Sequence, residues 1–147
     1  MKGEKRLHYQ PIRRRAVDII DDIRAAEEVA SLGEEDYGII RLAIEELVLN
    51  VVKYAYPEKG TGQGQGGTRD YLDVEIIRND KSITLRFRDG GVPFNPLKAE
   101  APDTSLPIEQ HEMGGFGIFM VVNYVNSIDY EYTAGENITT VIIKLKV

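Results

Sequence analysis

The run Ile40-Arg41-Leu42-Ala43-Ile44-Glu45-Glu46-Leu47-Val48-Leu49-Asn50-Val51-Val52-Lys53-Tyr54-Ala55 decides how the rest of the chain is read. At about 100° per residue, Ile40, Ile44, Leu47, Val48, Val51 and Ala55 point one way, which predicts a helix. Leu42, Leu49 and Val52 carry apolar character round much of the remainder, so this helix should be largely buried. Glu46, Asn50 and Lys53 nevertheless share a stripe well away from the main apolar face. Polar groups on a half-buried helix need partners. A carboxylate and an amide oxygen one turn apart can share a magnesium ion and its waters, because magnesium accepts sparse oxygen ligation completed by water and phosphate. A solvated stripe on a surface helix is the other reading of the same residues.

Working outward, this helix should span Glu34 to Tyr56 and end at Pro57. Upstream, Ala16, Ile19, Ile20, Ile23, Ala26 and Ala30 recur at helical spacing, predicting a helix over Arg13 to Leu32 stopped by Gly33. Leu7 to Ile12, closed by Pro11, reads as an edge strand. Downstream, the glycine-dense Gly60 to Gly67 stretch predicts a mobile loop. Leu72, Val74 and Ile76 alternate within Tyr71–Arg78, as do Ile83, Leu85 and Phe87 within Ser82–Arg88; Asn79-Asp80-Lys81 joins the two strands as a hairpin turn. Gly90 to Gly115 holds four prolines and little periodicity, as lids and binding loops often do. Phe116 to Val125 predicts a short apolar helix. Ile128–Thr133 and Ile138–Val147 form a closing hairpin across Ala134-Gly135-Glu136-Asn137. That order predicts an α+β fold, a two-layer sandwich with a largely antiparallel sheet.

The chain has 147 residues, which predicts one domain over 1–147. A net charge of −6 argues against bulk attraction to nucleic acid, and the Arg13-Arg14-Arg15 cluster is too short to reverse it. There are no cysteines, which excludes disulfides, thiolate metal sites and cysteine nucleophiles and suits a reducing compartment. The charged start has no apolar run behind it, and no stretch has the roughly 18–20 apolar residues of a membrane span, so a cytoplasmic protein is expected. His8 and His111 show no metal-ligand spacing and read as surface residues. Tyr124, Tyr130 and Tyr132 are expected to pack rather than bind.

Two further places carry chemistry. Arg88-Asp89-Gly90-Gly91-Val92-Pro93-Phe94-Asn95-Pro96 directly follows a strand. An Asp at a strand end can accept a hydrogen bond from an exocyclic amine, and a nearby Gly lets a flat ring approach the backbone. A plain turn is the alternative, since Asp, Gly and Pro are ordinary turn residues. Gly114-Gly115-Phe116-Gly117 opens the last helix. Glycines there expose backbone N–H groups at the positive end of the helix dipole, where phosphate is a natural guest. A lid hinge is the alternative. No Gly-Lys-Ser/Thr follows, which excludes a P-loop, and no βαβ unit surrounds it, which excludes a dinucleotide fingerprint.

In that order, Glu-x-x-x-Asn on a helix, Asp-x-Gly after a strand and Gly-Gly-x-Gly at a helix start resemble the N box, adenine box and phosphate box of the GHKL ATPase superfamily. Asp89 to Pro96 and Gly114 to Val122 are similar to the boxes of the anti-sigma factor serine/threonine kinases, and the likeness runs from the first helix to the last strand. It implies a sandwich of the GHKL type, with a mostly antiparallel mixed sheet and helices on one face. It implies that Asn50 coordinates magnesium on the phosphates and that Glu46 is the catalytic base toward a serine or threonine hydroxyl. Asp89 would bind the adenine amine, with Gly91 letting the ring sit close. Gly115 and Gly117 would cradle phosphates, and Thr139 would stand near adenine. Positioning and charge neutralisation carry most of phosphoryl transfer, so few side chains are needed.

Departures from the pattern are Asn95 where Asp is usual, Tyr54 where His is frequent, Ile138 where Gly usually precedes the Thr, and a long Gly60–Gly67 loop. The resemblance implies ATP and Mg2+ as cofactors, and a sigma factor and a small antagonist protein as partners. Homodimers are common in that family. No nucleic acid or membrane contact is implied. A nucleotide-dependent binding module without kinase activity is the alternative. An interaction domain that has lost its nucleotide is opposed by the intact boxes.

Overall fold

The computed structural model describes residues 1–56, 70–98 and 115–146. Its strands are β1 (Gly3–Tyr9), β2 (Leu72–Arg78), β3 (Ser82–Asp89), β4 (Ser127–Thr133) and β5 (Glu136–Lys144). They form one sheet in the order β1-β2-β3-β5-β4, with every pairing antiparallel. The α+β class and the largely antiparallel sheet are as expected. Strand alternation sends Leu72, Val74, Ile76, Ile83, Leu85, Phe87, Val141 and Ile143 to one buried face. Helices α1 (Ala16–Ala25), α2 (Glu27–Ala30), α3 (Glu34–Asn50) and α4 (Gly115–Tyr124) supply the rest of the core. Ile19, Ile20 and Ile23 of α1 and Ile40, Ile44, Leu47 and Val48 of α3 join the same cluster. Among the described residues no helix is long and apolar enough to cross a membrane.

The buried face of the sheet ends in polar residues. Asp89 pairs with Asn137 and Phe87 with Thr139 across β3 and β5. Register therefore places Asp89, Asn137 and Thr139 at one end of an otherwise apolar surface, each at most 6% exposed.

Several boundaries differ from the sequence expectation. β1 runs over Gly3–Tyr9 and pairs with β2 from Gly3↔Arg78 to Tyr9↔Leu72, so it is an edge strand lying earlier than Leu7–Ile12. The first helix is broken at Ala26, whose ψ of 135° leaves the helical region. Its carbonyl accepts from the Val29 and Ala30 N–H groups at 2.9 and 2.8 Å, restarting the chain as α2. Gly33 does not stop that helix: it flanks the start of α3 with φ −62° and ψ 158°. α3 is regular to Asn50 and then widens into a π turn over Val51–Ala55, a feature frequent at functional sites. The last hairpin turns on Ala134 and Gly135 alone, with φ of 52° and 79°. Glu136 and Asn137 belong to β5 instead. Tyr124 and Tyr132 do not pack; they are 58% and 45% exposed. The Gly60–Gly67 loop and His111 lie outside the described residues.

Candidate functional site

The stripe on α3 is not solvated. Asn50 is only 8% exposed, and its carboxamide makes no hydrogen bond among the described residues. It lines a pocket with Asp89, Asn137, Thr139, Phe94 and Pro96. The structure thus brings three separate sequence segments, α3, the end of β3 and the start of β5, to one point.

Glu46 stands one turn before Asn50, half-buried, and its Oε2 is buried without a hydrogen-bond partner among the described residues. Burial pushes its carboxyl pKa up, opposed by the Lys53 ammonium and reinforced by Glu45. Gly117 of α4 lies directly against it: a Cβ on Gly117 would fall 2.0 Å from Glu46 Cδ and Oε1. The first turn of α4, opened by Gly115, is packed on α3 at the level of Glu46. The N-terminal end of a helix dipole is favourable to negative charge.

Asp89 is held by two donors. The Gly91 N–H and the Asn137 Nδ2 each donate to its Oδ1 at 2.9 Å. Burial raises its carboxyl pKa, and those two hydrogen bonds pull it back down. Gly91 itself is buried against the π turn, where an added Cβ would lie 2.1 Å from the Ala55 carbonyl oxygen. The Val92 N–H donates to that same oxygen at 2.8 Å. In this conformation the absent Cβ serves a backbone–backbone approach.

Residues 92–98 fold over the pocket. Phe94 stacks on Tyr54 with ring centroids 4.9 Å apart, and Phe94 N–H donates to Asn137 Oδ1 at 3.0 Å. The remaining volume is about 20 Å³, room for one water. Small-molecule pockets occupy about 300–1,000 Å³, so the pocket as it stands is too small for a nucleotide.

Three supporting residues were not legible in the sequence. Asn137 binds Asp89, Val92, Phe94 and Tyr130. The Tyr56 hydroxyl donates to the Tyr71 carbonyl at 2.8 Å and accepts from the Gly90 N–H at 2.7 Å, joining the end of α3 to the turn after β3. Burial pushes its phenol up to about 12. Arg13, read as part of a basic cluster, donates to the carbonyls of Val52 and Lys53 at 3.3 and 3.1 Å and so caps the π turn.

A larger concavity of about 400 Å³ lies on the opposite face of the sheet, among Arg6, His8, Asp73, Glu75, Arg86 and Arg88. Its side chains are largely engaged: Arg6 and Arg86 meet Glu75 at 3.3 and 2.7 Å, His8 meets Asp73, and Arg88 reaches out to Glu136 at 4.0 Å. Of the three motifs only Arg88 borders it, while Asn50 and Asp89 line the smaller pocket, so size alone does not make it the site. Among the described residues no cluster of three His, Cys, Asp or Glu side chains is arranged to hold a metal ion. The Asn50 side-chain oxygen is the group here that could hold a magnesium ion, an ion that accepts ligation completed by phosphate and water.

The chain matches the profile of the histidine kinase-like ATPase domain over residues 11–144 and belongs to that family. It is 26% identical over 86 residues to the serine-protein kinase RsbW of Oceanobacillus iheyensis, covering 56% of this chain and 49% of that protein. It is also 26% identical over 103 residues to the serine-protein kinase RsbW of Halalkalibacterium halodurans, covering 69% of this chain and 59% of that one. The chain thus spans about half the length of the curated relatives it matches. The solved structure of the RsbU and RsbW domains of a Mycobacterium tuberculosis protein superposes with a TM-score of 0.58 at 16% identity, covering 96% of this chain and 32% of that one. The resemblance to the anti-sigma factor kinases read from the three boxes is borne out by these likenesses, and the family is that of an ATP-binding domain.

Proposed function

We propose that this protein is an ATP-dependent serine/threonine kinase of the anti-sigma type, which phosphorylates a small antagonist protein and sequesters a sigma factor in the cytoplasm. The observation that carries the reading is the convergence of Asn50, Asp89 and Thr139 on one pocket, with Glu46 one helical turn away against Gly117.

In this reading Asp89 accepts from the adenine amine, with Gly91 beside it, and Thr139 lies near the base. Gly115 and Gly117 place backbone N–H groups at the phosphates. Asn50 offers the side-chain oxygen for Mg2+, which when bound neutralises phosphate charge. Glu46, with a carboxyl pKa raised by burial, is suited to take the proton of a serine or threonine hydroxyl. The hydroxyl oxygen then bonds to the γ-phosphorus, the bond to the β–γ bridging oxygen breaks, and ADP leaves.

Calorimetric titration with ATP and ADP, with and without magnesium, tests the binding half. Magnesium-dependent binding weakened by Asn50→Ala is expected; no binding of either nucleotide would sink the reading. The closed pocket under the Tyr54–Phe94 stack favours a second reading, a nucleotide-dependent switch without kinase activity. Glu46→Ala separates the two. A kinase loses phosphotransfer and keeps nucleotide binding, whereas a pure switch has no transfer to lose.

A further inference from the structure

Asn137 uses all the capacity of its carboxamide. Nδ2 donates to Asp89 Oδ1 at 2.9 Å and to the Val92 carbonyl at 2.8 Å. Oδ1 accepts from the Phe94 N–H at 3.0 Å and from the Tyr130 hydroxyl. The side chain is 4% exposed, so no water competes for these bonds. Its orientation is unambiguous, because a flipped amide would set its oxygen against a carboxylate and a carbonyl and its NH2 against an N–H. Asp89 is thereby asymmetric: Oδ1 accepts two hydrogen bonds, while Oδ2 has no partner among the described residues.

We propose that Asn137 is a positioning residue for base recognition, fixing Asp89 Oδ1 so that Oδ2 remains the acceptor presented to a base with an exocyclic amine. The inference rests on the ATP-binding reading and deepens it. Asn137 lines the pocket but has all four of its hydrogen-bonding positions used, so it acts through Asp89 rather than on the base. A base with a 6-oxo group would set an acceptor against that oxygen, so the arrangement selects adenine over hypoxanthine.

Two measurements on the full chain decide it. The first needs no nucleotide: carbon-13 titration of the Asp89 carboxyl in wild type and Asn137→Ala. Loss of a hydrogen bond to the charged form raises the titration midpoint; an unchanged midpoint overturns the proposal. The second compares ATP with ITP, which lacks the amine. Asn137→Ala should weaken ATP by about 10-fold or more, the effect of one charge-assisted hydrogen bond, and leave ITP within about 2-fold, inside ordinary variation for a distant contact. Equal weakening of both marks a merely structural role and overturns it. If Asn137→Ala does not fold, Asn137→Leu, of similar volume and without polar atoms, replaces it, with the same expected directions. If the wild type binds neither nucleotide, the ATP reading fails, and the carboxyl titration alone decides whether Asn137 holds Asp89.

Discussion

Gly117 of α4 packs its α-carbon against the carboxylate of Glu46 on α3, so closely that a methyl there would lie 2.0 Å from Cδ and Oε1. The atoms in the way are the far end of a flexible side chain, which can rotate aside. Ala also raises helix propensity over Gly by about 0.8–1 kcal/mol. Gly117→Ala should therefore leave folding stability within about 1 kcal/mol of wild type while displacing the base. If Glu46 is the base, phosphotransfer should fall by about 100-fold or more, the lower end of what a positioned general base contributes, with a smaller loss of ATP affinity. Thermal unfolding beside a phosphotransfer assay checks both halves.

Gly91→Ala meets the opposite situation. The obstacle there is backbone, with the Ala55 carbonyl oxygen at 2.1 Å and its carbon at 2.5 Å from the added Cβ. Neither can move without disturbing the π turn and the Val92–Ala55 hydrogen bond. The expected cost is about 2–4 kcal/mol, within the range of overpacking and lost buried bonds. A denaturant midpoint equal to wild type would contradict this approach.

Asp89 sets stability against function. Burial raises its carboxyl pKa in the folded state. Between the unfolded and folded values the folded protein holds a proton that the unfolded chain has released. Stability from this group is therefore fully present below the unfolded value, near 3.9, and is lost as pH rises through the folded value. Asp89→Asn removes the buried charge and that loss. Its melting temperature at neutral pH should rise, while ATP binding drops at least about 10-fold. Melting curves across pH 3.5 to 8, run beside calorimetry, give both readouts, and a variant whose stability falls with pH as steeply as wild type would refute the assignment.

The sequence carried those parts of the molecule whose cause is local. β2 and β3 appear within a residue or two of their expected limits, because strict alternation is itself the burial pattern. Asp89 was legible from its place between a strand and a glycine pair. Asn137 was not: it follows Gly135 by two positions and Asn is itself a turn residue, and only the β3–β5 register, set by residues 48 positions away, turns it inward. Tyr56 looked like the end of a helix, because its partners lie 15 and 34 residues downstream. The break at Ala26 contradicts the best helix former in the set. Burial of Ala26 and Val29 in the shared core outweighs that propensity.

The Tyr54–Phe94 stack holds residues 92–98 over the pocket. Aromatic pairs contribute about 0.5–1.5 kcal/mol beyond their burial. Tyr54→Ala should lower the cost of opening by that amount, making ATP bind about 2- to 10-fold tighter and faster. Stopped-flow mixing with a fluorescent ATP analogue measures the rate. Slower or weaker binding would instead make the aromatic pair a platform for the base.

Ala134 is the one non-glycine residue with positive φ among the described residues, at 52°, and Gly135 follows at 79°. Both central positions of this two-residue turn are left-handed, the geometry that Asn-Gly adopts most readily. An L-residue with a Cβ is strained there by about 1–2 kcal/mol, and Asn relieves part of that by local hydrogen bonding. Ala134→Asn should stabilise the protein by about 0.5–1 kcal/mol, raising the melting temperature by roughly 2–5 °C. Position 134 is exposed and touches none of the pocket residues, so ATP affinity should not change. Higher stability with unchanged affinity would locate the control of Asn137 and Thr139 in the β3–β5 register rather than in the turn that precedes them. A change in affinity would show that the hairpin end itself sets the site.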